Sequence, residues 1–148
     1  MEIPAKIRIP LCIEQGCVFN FLFDFGDSKR ESKNRYFVVL NSNPKTDSVL
    51  VMVTSTTQIL KKAEFIKKAR IDEKTLVKVT HAEYPTFSQD SVFNCNTVVE
   101  VKVEDLVRKI EENGSMNYPK IPADILKKLV EGVRKSPRID EATKKLIL

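Results

Sequence analysis

The stretch NRYFVVLNSNPKTDSVLVMVTSTTQ, residues 34–58, sets two apolar runs on either side of a polar link. Tyr36 to Leu40 and Val49 to Val53 are short and rich in Val, with an aromatic pair in the first, as strands are. Between them Asn43-Pro44 starts a turn, and Asp47 and Ser48 can bond to the local backbone. The pattern predicts an antiparallel hairpin. With Leu40 opposite Val49, Arg35 stands opposite Thr54; a slip of one residue puts Ser55 there instead.

Working outward, the same signature recurs. In CVFNFLFDF, residues 17–25, the phenylalanines at 19, 21, 23 and 25 share one face of a strand. Aromatic stripes can stack nucleic-acid bases, but four phenylalanines in a row on one face read as core. Further strands are expected at 75–80, 91–96 and 97–103, separated by Gly, Asn, Pro, Ser or Asp. FGDSKRESKN, residues 25–34, has no apolar period and reads as an exposed, mobile loop. Many short strands with few long links point to a mainly β fold with C-terminal helices, the strands forming a small antiparallel barrel.

Near Val103 the apolar period changes. Leu106, Val107 and Ile110, with acids in the first turn and Gly114 as a stop, predict a helix over 104–113. Ile125, Leu126, Leu129, Val130 and Val133 predict another over 122–134, with Pro122 in its first turn. Ser136 as N-cap and Pro137 at the first position predict a third over 137–147. Residues 1–113 then form the barrel with its closing helix, and 114–148 a helical extension packed on the same domain.

The composition narrows the function classes. No apolar run approaches the roughly 20 residues that span a bilayer, and MEIPAKIRIP lacks the apolar segment of a signal peptide. These features point to a cytoplasmic protein with no membrane partner. Cys12, Cys17 and Cys95 fit neither a disulfide framework nor a zinc motif, and are expected to be reduced and mostly buried. His81 is the single histidine, so acid–base chemistry by two histidines is impossible within one chain, and no metal cluster suggests itself. The net charge of +5 is uneven: residues 61–78 carry 7 basic and 3 acidic groups. That segment suits a polyanion partner, or is simply a solvated lysine-rich surface.

A guanidinium beside one or two hydroxyls at the open end of a hairpin suits phosphate chemistry. Arginine stays charged and presents a planar fork of donors, which can stabilise charge growing on phosphate oxygens. RNA brings its own nucleophile in the 2′-OH, so cleavage there needs neither a metal nor a protein nucleophile. Arg35 could equally cap a barrel rim or pair with Glu31 or Asp24, and Thr and Ser are common at strand ends.

With these residues in view, residues 13–110 resemble the MazF/PemK family of toxin endoribonucleases. Gly16 opens the first strand, with Cys17 where the family has Asp. Arg35 falls on the family's arginine, followed by Tyr36 in place of Pro. Thr54 and Ser55 end the next strand, with Met52 in place of Pro, and Cys95-Asn96 replaces an Asp-Gln pair. The resemblance implies an SH3-like barrel, a symmetric homodimer and single-stranded RNA in a groove near its interface. It also implies an antitoxin protein as partner, and catalysis without metal or cofactor that leaves a 2′,3′-cyclic phosphate. Carried over, Arg35 stabilises the phosphorane and is the candidate to protonate the leaving oxygen, while Thr54 or Ser55 holds a phosphate oxygen. Lys29, Arg30 and Lys33 of the charged loop, Lys61 and Lys62 of the basic segment, and Asn96 are the candidate RNA contacts. The alternative is a non-catalytic SH3-like module that binds nucleic acid or protein.

Overall fold

In a computed structural model, which describes residues 3–23 and 34–147, the chain runs through twelve elements. These are α1 (Ala5–Cys12), β1 (Val18–Leu22), β2 (Asn34–Val39), β3 (Val49–Thr56) and α2 (Ile59–Ala69), then a 3-10 turn (Glu73–Thr75). They continue with β4 (Leu76–Val79), β5 (Ser91–Asn94), β6 (Val99–Lys102), α3 (Val103–Asn113), α4 (Ala123–Lys135) and α5 (Glu141–Leu146).

The two runs that define the hairpin are apolar at every position because both of their faces are covered. On one face, Phe19, Phe21, Phe37, Val39, Leu50 and Met52 pack with Ile9 of α1 and with Leu106 and Ile110 of α3. The rings of Phe21 and Phe37 stack at 4.2 Å. On the other, Val38, Leu40, Val51 and Val53 join Val77, Val79 and Phe93 beneath Ile125, Leu129 and Val133 of α4. Truncating a fully buried ring such as Phe21 to Ala costs about 3–5 kcal/mol. Phe25, the last of the stripe, lies outside the described residues.

All pairings are antiparallel, in the order β1-β2-β3-β5-β4, with β6 beside the first half of β3. β3 is the hub. Its Val49–Met52 half pairs with β6, Met52–Thr54 with β2, and Ser55 and Thr56 with β5. The sheet does not close into the expected barrel, because among the described residues its end strands β1 and β4 do not pair with each other. Ser115 exchanges two backbone bonds with Asn20 on the outer edge of β1 instead.

The hairpin register differs from the expected one by two residues. Thr54 stands opposite Phe37, Val53 opposite Val38 and Met52 opposite Val39. The buried Asn41 is the cause. Its amide accepts from the Val51 N–H (2.6 Å) and donates to the carbonyl of Val49 (2.9 Å) and to Asp47 (2.8 Å). The side chain thus extends the ladder past Leu40, and the chain reverses later, over Asn43–Asp47.

Of the expected C-terminal helices, α3 and α4 lie where the period put them. The third starts later, at Glu141, capped by Asp140, which accepts from the Thr143 N–H. Ser136 ends α4 instead, and its hydroxyl donates to Asn96. Helices α1 and α2 arise where none was expected. Of the three thiols only Cys95 is buried; Cys17 is half-buried and Cys12 exposed. Burial pushes the Cys95 thiol up to about 12.

Candidate phosphate-binding site

At the mouth of β2 and β3 lies a cleft of about 160 Å³. Arg35, Tyr36, Ser55 and Thr56 line it from these strands, together with Thr57 and the segment around Phe87, Gln89 and Ser91. Its volume is below the range of pockets for drug-sized ligands, which suits a compact polar group. Arg35 is the one charged residue among the described lining residues.

Arg35 and the hydroxyls meet here by a different route from the expected one. In the observed register Arg35 continues toward Thr56 rather than Thr54. The Thr54 hydroxyl donates to the Tyr36 carbonyl at 2.9 Å and does not line the cleft. The Thr56 hydroxyl accepts from the Gln58 N–H at 3.2 Å, fixing the bend that leads into α2. Ser55 alternates to the side of Tyr36 and Phe93, and its hydroxyl makes no hydrogen bond to another described residue. Of the two of these hydroxyls that line the cleft, Ser55 is uncommitted, while Thr56 accepts one bond and keeps its O–H to donate.

The wall behind is aromatic. Tyr36 packs against Phe87 at 5.0 Å and against Tyr118 at 5.3 Å. Burial, and next the neighbouring Tyr118, raise the Tyr36 phenol above its ordinary range, so it stays protonated at neutral pH. Tyr36 thus helps to shape the cleft wall. His81 lies outside the cleft lining, its Nδ1 against the Phe87 carbonyl.

The other candidates divide. Lys61 is exposed in the first turn of α2, which begins three residues beyond Thr56, and Lys62 beside it is half-buried. Asn96 is buried. Its amide donates to Thr75 (2.9 Å) and Asn94 (3.0 Å) and accepts from Ser136 (2.6 Å), so it ties β5 to α4 rather than facing a groove. Lys29, Arg30 and Lys33 lie outside the described residues, as do Asp24 and Glu31. Sequence reasoning missed Thr56, Thr57 and the 87–91 segment, whose only signal is the hydroxyl-rich run TFSQDS, residues 86–91. Among the described residues, no three His, Cys, Asp or Glu side chains come together as metal ligands do. No described helix is long and apolar enough to cross a membrane.

Gly16, the glycine of the resemblance, holds φ +93°, a conformation that L side chains rarely adopt. There its N–H bonds the Val39 carbonyl at 2.8 Å and its carbonyl accepts from Ile121 at 3.0 Å, seating the turn before β1.

No family model matches the chain, and no curated protein matches it in sequence. In three dimensions it is similar to a chain in the crystal structure of MazE–MazF (Form-III) from Deinococcus radiodurans. The TM-score is 0.50 and the identity 13%, over 82% of this chain and 92% of that one. At that identity the likeness is one of fold: a β-rich sheet with helices packed on it.

Proposed function

We propose that the protein is a metal-independent endoribonuclease of a type II toxin–antitoxin system that cleaves single-stranded RNA through attack of the 2′-OH. The observation that carries this reading is one cleft lined by Arg35 and by the uncommitted hydroxyl of Ser55. The fold likeness to a chain of a MazE–MazF complex and the ordered motif resemblance support it.

The scissile phosphate sits between Arg35 and Ser55. The 2′-oxygen forms a bond to phosphorus, the bond to the 5′-oxygen breaks, and the products are a 2′,3′-cyclic phosphate and a 5′-OH. The guanidinium neutralises charge that builds on the phosphorane oxygens, and Ser55 donates to one of them. Because arginine does not give up its proton at working pH, water takes the 2′-proton and protonates the leaving oxygen. Lys61 and Lys62 steer the backbone toward the cleft from α2. Residues 114–148 are part of the same folding unit, the active species is a homodimer, and an acidic antitoxin protein holds it off in the cytoplasm.

The test is cleavage of single-stranded RNA in EDTA. The wild type cuts, and Arg35→Ala does not; undiminished cutting by that variant removes the assignment. A second reading rests on the cleft's lack of a proton acceptor such as a carboxylate or imidazole among its described lining residues. This favours a phosphate-binding module without turnover, which predicts salt-dependent RNA binding and no cleavage.

A further inference from the structure

The far end of the sheet carries a second feature, and none of its residues lines the Arg35 cleft. β4 is the last strand in the order, with β5 on one side and no described strand on the other. The Cys95 N–H bonds the Thr75 carbonyl at 2.7 Å, and the register continues as Val77 opposite Phe93 and Val79 opposite Ser91. Backbone groups alternate along an antiparallel ladder, so those of Val77 and Val79 face β5 and those of Leu76 and Lys78 face outward. The Leu76 N–H already bonds the Glu73 carbonyl. The Leu76 carbonyl and both polar groups of Lys78 remain, and no hydrogen bond from another described residue reaches them.

Along this edge, between β4 and the flank of α4, runs a groove of about 470 Å³. Its floor is Leu76 and Val77, and its rim carries Lys74, Lys78 and Lys128 with Glu73 and Glu131. None of these five charged residues forms an ion pair with another described residue.

We propose that the β4 edge is a docking site for an extended acidic peptide, which adds to the sheet as a further strand. The outward N–H and carbonyls bond the peptide backbone, as in other strand-addition complexes. Lys78 projects on the same face as Leu76, so the incoming residue opposite it lies within about 5–6 Å and an acidic one is favoured. The residue opposite Leu76, two positions away on the peptide, is apolar by the same argument. A second copy of this chain is a poor occupant, because edge-to-edge pairing sets lysine-bearing strands against each other. Nucleic acid is a poor one too, since it has no row of amide groups to match a strand edge.

The experiment uses the full chain and a fluorescein-labelled peptide of alternating Val and Glu, about eight residues long, read by fluorescence anisotropy. The peptide is expected to saturate. The same peptide N-methylated at alternate backbone nitrogens keeps its side chains but loses donors, and binds at least about tenfold more weakly. A Val–Lys peptide is also weaker. Lys78→Glu lowers affinity for the acidic peptide about tenfold and raises it for the basic one. If Lys78→Glu fails to fold, Lys128→Glu takes its place, and the N-methylation comparison needs no variant at all. The proposal is overturned if the acidic peptide does not bind at about 1 mM, if N-methylation makes no difference, or if the charge of the peptide is immaterial. It is also overturned if a single-stranded oligonucleotide, and not the peptide, responds to Lys78→Glu.

Discussion

Three consecutive hydroxyls, Thr54, Ser55 and Thr56, lie at the end of β3, and the hairpin register assigns them different work. Replacing them one at a time separates those roles. Ser55 lines the cleft with an uncommitted hydroxyl, so Ser55→Ala removes a donor to the phosphate oxygens and little else. The loss of one such donor lowers the rate about 10²–10³-fold, or roughly 2.7–4 kcal/mol of transition-state stabilisation. Thr54→Val keeps the shape but deletes the 2.9 Å bond to the Tyr36 carbonyl. That variant loses about 1–2 kcal/mol of folding stability and keeps its cleavage rate within a few-fold. The assays are single-turnover cleavage of a labelled RNA in EDTA and urea unfolding of the same preparations. Thr54, and not Ser55, serves the phosphate if Thr54→Val abolishes cleavage at unchanged stability while Ser55→Ala cuts like the wild type.

Gly132→Ala in α4 would ordinarily strengthen a helix, yet here a new Cβ would meet Cys95 Sγ at 2.8 Å and the Lys74 carbonyl at 3.0 Å. It is expected to destabilise by about 1–3 kcal/mol in urea unfolding, and Cys95→Ala should restore part of the loss; a gain in stability contradicts the packing. In native protein a thiol reagent should modify Cys12 first, Cys17 more slowly, and Cys95 only on unfolding, since burial holds the last thiol near 12. Mass spectrometry of the timed reaction checks that order. The side-chain and backbone hydrogen bonds of Thr143 hold the Asp140 carboxyl below its ordinary value. Its contribution is therefore present above the unfolded carboxyl's pKa and is lost as pH falls through the lower, folded one. Asp140→Asn should flatten the acid limb of stability against pH, and an unchanged slope argues against the cap.

The apolar runs of the hairpin, the phenylalanine stripe and the period of α3 and α4 were legible because burial acts on each local segment directly. The register was not, since it depends on Asn41 standing in for a ladder residue, an arrangement indistinguishable in sequence from an ordinary turn asparagine. Helix α2 was hidden because only Ile66 is buried while Leu60 and Phe65 are exposed, so its apolar stripe is faint. α1 was hidden by Pro10 inside it. Ser136 was the expected cap, but its hydroxyl is taken by a partner 40 positions away, Asn96, and Asp140 caps the helix instead. That the sheet stays open, with β3 changing partners midway, is likewise something no local pattern reports. At the cleft, Arg35 and Ser55 could be named from spacing and resemblance, but the rim from 87–91 arrives from a distant part of the chain.

The helices that pack on both sides of the sheet leave the apolar middle of β2 and β3 no bare face to offer. A molecule approaching from above or below meets α4 on one side, and α1 and α3 on the other. What remains within reach is the perimeter: the hairpin mouth with its arginine, and the outermost strand with its unfilled amide row. Surface substitutions on the covering helices should therefore tune stability and solubility, whereas changes of a single residue along that perimeter should alter what the protein recognises.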